Sequence, residues 1–242
     1  MISVGPIFKH LVIYPDKVSL IDYFVPSVYT SFMPFKGDAT VFGMVNDKRK
    51  TIWIDLSRTE EEILMGFKSN TRNEVRKAIR EGYLVEEESD LNAFVNYYNA
   101  FAKEKNLEVI SIDTIRKYPN VFISKSSLNG KVLTMHASIL DPDNKIVRLL
   151  YSASVRLDEG VDRKSVGLSN RLLHYKDLLE FKNRGYAIYD FGGLNEDENN
   201  EQQFNITIFK KGFGGEIRDE MHLCSIPAWL LLKLSKIKTS RK

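Results

Sequence analysis

Residues 167–175 read Gly-Leu-Ser-Asn-Arg-Leu-Leu-His-Tyr, and residues 185–193 read Gly-Tyr-Ala-Ile-Tyr-Asp-Phe-Gly-Gly. Leu168, Leu172, Tyr175 and Leu179 recur at helical spacing, so a helix is expected from Leu168 to Asn183, stopped by Gly185. Ala187 to Phe191 is a short apolar run with no alternation, the pattern of a strand buried on both faces. It ends in Gly192-Gly193, where the backbone can turn tightly or approach another group closely. A helix leading straight into a doubly buried strand belongs to a sheet covered by helices on both faces.

Working outward, a short helix is expected around Phe204 to Lys211 and a strand from Glu216 to Leu223. Upstream, Val121–Ser126, Lys131–Leu140 and Lys145–Ser154 read as three strands, joined by the hairpin chemistry of Asn129-Gly130 and Asp141-Pro142-Asp143. Before them come a strand at Tyr83–Glu88, a helix at Asp90–Lys105 and a short helix at Ile112–Tyr118. A helix capped by Ser57 or Thr59 is expected to run on to Gly82. The first 56 residues read as extended, with strands at His10–Tyr14 and Thr51–Leu56 punctuated by Pro15, Pro26, Pro34 and Gly37. The expectation is an α/β (α+β) mixed sheet, mostly antiparallel. The domain plan is a strand-rich segment with a basic helix over 1–82, a main domain over 83–224, and a basic amphipathic tail over 225–242.

Composition narrows the class. With 242 residues, 43% hydrophobic and 28% charged, the chain is of globular type. Its single cysteine, Cys224, forbids an internal disulfide and sits in an apolar run that suits an inert thiol. Met1 to Lys17 lack the features of a signal peptide, and no run is apolar enough to span a bilayer, so a cytoplasmic protein is expected. The tail from Pro227 mixes Trp229, Leu230, Leu231, Leu234 and Ile237 with lysines and holds no acid. Such a tail either docks on the core or lies on the inner face of an anionic membrane.

A net charge of +3 is too small to imply nucleic-acid binding, and no recognition motif accompanies the basic helix. That helix carries Lys68, Arg72, Arg76 and Arg80 at four-residue spacing, one stripe that would suit phosphates. The four histidines are dispersed, so no metal site is expected.

The two quoted segments, together with Phe209-Lys210-Lys211-Gly212-Phe213-Gly214-Gly215-Glu216, resemble the FemABX peptidoglycan-bridge transferases of the GNAT acyltransferase superfamily. In that family an Asn-bearing helix leads into a Tyr-Asp-Phe-Gly-Gly strand end, and a Phe-Lys-x-x-Phe-Gly-Gly element follows. Trp53-Ile54-Asp55-Leu56 and the Arg72–Ala78 helix resemble the family's upstream strand and basic helix. The bridge-forming enzymes carry two GNAT-like halves, whereas this sequence has one full half. The resemblance therefore implies a GNAT-like fold and a single-module N-acyltransferase. Its donor would be acyl-CoA, and its acceptor an amine of an amino sugar or a lipid-linked cell-envelope precursor. The alternatives are aminoacyl transfer from aminoacyl-tRNA in peptidoglycan bridge formation, with tRNA as partner, and a non-catalytic GNAT-like binding module.

The chemistry assigns candidate residues. Lys210 matches the family's lysine and would stabilise charge on the transferred group. Asp190, a carboxylate on an apolar strand, would take the amine proton, orient the acceptor or cap the glycine turn. His136 shares a face with Thr134 and Ser138 and is a candidate base or a structural histidine. GNAT folds hold the donor where two parallel strands splay, here Lys145–Ser154 and Ala187–Phe191. A bulge there would present the acyl group to Tyr151, Ser152 and Ala153. Arg163-Lys164-Ser165-Val166-Gly167-Leu168-Ser169 loosely matches the pyrophosphate loop, so Arg163, Lys164, Gly167, Ser169 and the next residue Asn170 would hold the donor. Arg72, Arg76, Phe191, Gly192, Gly193, Asn195 and Phe209 would line the substrate site.

Overall fold

The structure, a computed structural model, describes residues 2–4, 10–13, 18–31, 40–155, 162–197 and 199–239. Tyr14, Pro15, Pro34, Gly37, Arg241 and Lys242, which the sequence reading used, lie outside the described residues. The chain divides into two compact units, residues 1–51 with 218–242, and residues 52–217. These limits differ from the expected 1–82, 83–224 and 225–242. The basic helix packs with the larger unit, while the strand at 216–225 leaves that unit partway along its length.

The larger unit holds the end of strand β4 (Met44–Asp55), helices α1 (Glu60–Gly66) and α2 (Ser69–Arg80), strand β5 (Leu84–Glu87), and helices α3 (Leu91–Glu104) and α4 (Ile112–Arg116). Strands β6 (Val121–Leu128), β7 (Lys131–Asp141) and β8 (Ile146–Ser154), helix α5 (Arg163–Asn183), strand β9 (Ile188–Leu194) and helix α6 (Glu201–Lys211) complete it. Its strands run in the order β4-β9-β8-β7-β6-β5. The β5–β6, β6–β7 and β7–β8 ladders are antiparallel and β8–β9 is parallel, the mixed GNAT-like sheet that was expected.

Two corrections to the helices have plain causes. The expected single helix through Gly82 is two, because Phe67 adopts an extended conformation and Lys68 starts the second. Thr59 is the N-cap of α1 and forms a reciprocal capping box with Glu62. Helix α5 starts at Arg163 rather than Leu168, with the Asp162 carboxylate accepting from the Lys164 amide, so Gly167 lies within the helix.

Each face of the sheet has its own core. One joins Ile52, Phe67, Val75, Leu172, Tyr189, Phe191 and Phe213 beneath α1, α2 and α5. The other joins Phe94, Tyr98, Ile115, Met135 and Ala153 beneath α3 and α4. Two β-bulges rotate the side-chain pattern between these faces. On β7, Leu133 is the extra residue opposite the Ser126–Ser127 step; on β8, Leu150 is the extra residue opposite Ala137–Ser138. Leu149 therefore faces the α5 side and Tyr151 the α3 side.

The smaller unit contains β1 (Ile2–Val4), β2 (His10–Ile13), a 3₁₀ turn at Leu20–Tyr23, β3 (Ser27–Thr30), the start of β4, most of β10 (Glu216–Ser225) and α7 (Ile226–Thr239). Strand β3 pairs antiparallel with β10 and parallel with β2. Tyr29, Met44, Met221 and Leu223 form its core.

Candidate active site

The site lies in the larger unit, where β8 and β9 part. They pair only at Ile146–Ile188, Val147–Tyr189 and Arg148–Asp190, although both strands continue beyond these positions. The gap opens into a cavity of about 480 Å³, walled by Leu149, Ser152 and Ser154 of β8, Phe191 of β9, Asn170 and His174 of α5, and the side of α6 that carries Glu201, Asn205, Phe209 and Lys210. Phe101 and Lys105, at the end of α3, close it.

A second cavity, of about 620 Å³, shares Lys105, Asn170, Asn205 and Phe209 with the first. Arg163, Val166, Gly167 and Asn170 line it from one face of α5, and Lys68, Asn70 and Thr71 line it from the start of α2. Lys68, Lys105, Arg163 and Arg171 all line this cavity, and among the described residues no carboxylate does. Arg171 also holds Glu74 at 2.5 Å and lies over the Phe209 ring. The cavity is thus suited to an anion, while its neighbour sets apolar walls beside Glu201 and Lys210.

Lys210 is anchored at the mouth of the gap. Its ammonium donates to the Gly193 carbonyl at 2.8 Å and, more loosely, to that of Gly192 at 3.4 Å. Gly192 has φ +72°, a conformation that favours glycine, and its amide donates to Asp190. Asp190 is fully buried, bonded at 2.6 Å to Arg148 through one oxygen and at 2.7 Å to the Gly192 amide through the other. It sits outside both cavities and shapes the Gly192–Gly193 turn that anchors Lys210.

His136 is buried and bonded at both ring nitrogens, to Asp177 at 2.7 Å and to Asn170 at 2.9 Å. With Nδ1–H donated to Asp177, Nε2 can donate to Asn170 Oδ1 only as the imidazolium; the neutral ring needs the amide turned round. Either way the ring fixes Asn170 where the two cavities meet. His136 does share a face with Thr134 and Ser138, as alternation predicts, but α5 covers that face: Thr134 bonds Ser169 at 2.8 Å. Ser169 is thereby engaged in the core and faces no donor.

The other expected site residues separate. Ser152, Asn170, Phe191, Phe209 and Lys210 come together around the smaller cavity, and Arg163, Gly167, Asn170 and Phe209 around the basic one. Tyr151 packs at a tilt against Phe94 and Tyr98 in the α3 core, where burial pushes its hydroxyl up to about 12, and Ala153 is buried in the same core. Lys164 is exposed and lines neither cavity. Arg72 donates to the Met65 and Phe67 carbonyls and so caps α1, while Arg76 points to solvent. The Asn195 amide donates to the Thr207 hydroxyl, which donates back to the Asn195 carbonyl, pinning the chain after β9 onto α6. Among the described residues no group of three or more His, Cys, Asp or Glu side chains could hold a metal ion.

Sequence reasoning passed over His174, Lys105, Asn205 and Glu201. His174 is completely buried, 4.1 Å centroid to centroid from His136 and within ring contact of Phe191, Phe209 and Phe213. Burial, reinforced by His136, Lys210 and Arg171, holds it well below the usual imidazole range, so it is neutral. It sits one position before Tyr175 on the helical stripe, a signal that reads as core.

No protein-family model matches the sequence, and no curated protein does. Solved structures do match. FemX superposes with a TM-score of 0.62 at 16% identity, over 77% of this chain and 63% of that one. This chain therefore spans less than two thirds of FemX. The C-terminal (DUF2156) domain of a putative lysylphosphatidylglycerol synthetase from Agrobacterium fabrum gives 0.60 at 13% identity, over 87% of this chain and 72% of that one. L-PGS from Bacillus licheniformis gives 0.58 at 13% identity, over 96% and 83%. With its parted β8–β9 pair and its Tyr-Asp-Phe-Gly-Gly and Phe-Lys-x-x-Phe-Gly-Gly turns, the chain has the FemABX- and GNAT-type fold found in these structures.

Proposed function

We propose that the protein is an acyltransferase that moves an acyl group from coenzyme A to an amine. The observation that carries this reading is the paired cavity: a basic chamber opening beside a gap between parallel strands, with Asn170 where the two meet and Lys210 fixed in the wall of the gap. The coenzyme's phosphates would lie by Lys68, Lys105 and Arg163, and its acyl end would pass Asn170 into the gap. The Leu150 bulge removes one peptide group from the ladder beside Ser152, which supports an N–H contact to the acyl carbonyl. Glu201 provides a carboxylate for the acceptor's ammonium in the same cavity. Attack by the amine nitrogen forms the new C–N bond and a tetrahedral oxyanion. Lys210 offsets that charge; the C–S bond then breaks and the nitrogen's surplus proton passes to the departing thiolate, the acceptor's ammonium having first given one proton to Glu201.

A second reading is favoured by the structural neighbours. One is named as a putative lysylphosphatidylglycerol synthetase, a name that implies a lysyl group carried on phosphatidylglycerol, and the basic cavity would equally take the phosphates of an aminoacyl-tRNA. In the first reading the amine belongs to an amino sugar or a lipid-linked envelope precursor; in the second the aminoacyl group goes into a peptidoglycan bridge.

Thermal unfolding with acetyl-CoA and longer acyl-CoAs tests the first reading. Ligand at about 100 times its dissociation constant should add roughly 2.7 kcal/mol of stability. The gain should shrink in Lys105→Ala/Arg163→Ala. No shift with any acyl-CoA, together with retention of aminoacyl-tRNA, would replace the first reading with the second.

A further inference from the structure

Two other segments of the smaller unit meet its 3₁₀ turn. The Ser225 hydroxyl donates to the Val25 carbonyl and accepts from the Ser27 amide, so the start of α7 is tied beside Phe24. The Phe42–Gly43 turn lies against the Tyr23 ring, which a Cβ on Gly43 would approach to 3.1 Å. Around this junction the apolar side chains point outward: Leu20 is 78% exposed, Phe24 75% and Phe42 97%.

Helix α7 continues the same surface. Leu230, Leu231, Leu232 and Leu234 are 47–59% exposed. Successive helix positions point about 100° apart, so these leucines leave most of the circumference bare. A helix apolar on nearly every side needs a cover that is not water. It is too short and too basic to cross a bilayer, and no helix among the described residues is long and apolar enough to do so.

Its sequence says what the cover is. From Ile226 to Lys242 there is no acid, while Lys233, Lys236, Lys238, Arg241 and Lys242 are interspersed with the apolar residues. The Lys233 ammonium lies 4.0 Å from the Trp229 ring centroid, an amphipathic pair suited to the depth of lipid headgroups. An apolar helix with one sign of charge matches a surface that is apolar beneath and anionic on top. A second copy of the chain would bring cation against cation.

We propose that α7, with Leu20, Phe24 and Phe42, forms a docking surface for an anionic lipid bilayer. The leucines and phenylalanines enter the acyl boundary and the lysines remain among the headgroups. This surface belongs to the smaller unit, and the proposal is independent of the acyl-transfer reading.

The test is co-sedimentation of the full chain with vesicles of phosphatidylcholine alone or mixed with phosphatidylglycerol. Binding is expected on the anionic vesicles, at least roughly tenfold stronger than on the neutral ones, and weakened by salt. Leu231→Glu/Leu234→Glu should abolish it, and Phe24→Ser/Phe42→Ser should weaken it. All four sites are exposed, and an unchanged Tm would show that the fold survives. Failure to bind anionic vesicles at low salt would overturn the proposal. So would binding unaffected by either pair of substitutions, because charge alone would then explain it. Concentration-dependent dimerisation abolished by Leu231→Glu/Leu234→Glu would assign the surface to a second copy instead.

Discussion

Lys210 and His174 face the same cavity and carry opposite expectations. The Lys210 ammonium lines the cavity and donates to the Gly193 and Gly192 carbonyls, which fix where its charge sits. Lys210→Met should lower the rate of acyl transfer by about 10²-fold, as loss of one preorganised oxyanion contact does, with Tm nearly unchanged. Steady-state kinetics beside a melting curve check both halves. His174 makes itself felt in stability. Its folded-state pKa lies well below the unfolded value of 6.5, so below pH 6.5 the unfolded chain binds a proton that the native one refuses. The stability it allows is present above pH 6.5 and is lost as pH falls towards the folded value, at up to about 1.4 kcal/mol per pH unit. Denaturant titrations of His174→Phe between pH 7 and 5 should show a flatter decline than the parent protein. An identical slope would mean that the ring titrates normally.

At the scale of elements, the Phe-Lys-x-x-Phe-Gly-Gly segment is explained by distance. A Cβ on Gly214, at φ +71°, would stand 2.2 Å from the Gly66 carbonyl at the end of α1; on Gly215, at φ +82°, one would stand 2.6 Å from the Trp53 carbonyl of β4. These glycines let the turn between α6 and β10 pass against two backbones. Gly214→Ala should therefore cost more than the ~1 kcal/mol typical of a single mutation, about 3 kcal/mol or more, while the exposed Gly130→Ala at a hairpin should cost less; chemical denaturation compares them. This segment, the strand order from β5 to β9 and the helices between them were legible in the sequence because period and turn chemistry agree there. The start of α5 was not, because Gly167 reads as a loop residue and the Asp162 cap lies upstream of the helical stripe. The site was legible only in part. Lys210, Phe209, Asn170 and Ser152 stand out by motif or alternation, and they do meet. Asp190 and Arg72 look equally chemical in the sequence, yet each bonds to backbone or to a buried partner. His174 and Lys105 carry no local sign, since what brings them to the cavity is the parting of strands far away in sequence.

For the molecule as a whole, the two candidate donors differ in how much charge they bring to the same basic wall. Coenzyme A carries a few phosphates within one compact handle. A tRNA is a polyanion whose contacts would extend beyond Lys68, Lys105 and Arg163 to the exposed cations of α2, Arg76 and Arg80. Binding that neutralises Z phosphates releases counterions, and log K falls against log salt with a slope near −0.7Z for single-stranded and −0.9Z for duplex nucleic acid. The low-molecular-weight donor should therefore give a shallow slope that Arg76→Ala/Arg80→Ala leaves alone, because neither residue lines the cavity. A nucleic-acid donor should give a steep slope, reduced by about one for each contacting cation removed. Measuring the affinity for acetyl-CoA and for aminoacyl-tRNA from 50 mM to 500 mM salt, with and without those two arginines, separates them. Tight, salt-shallow binding of acetyl-CoA that survives the arginine substitutions would support the coenzyme A donor. Salt-steep tRNA binding lost with the same substitutions would make α2 part of the donor site and give its basic stripe a function.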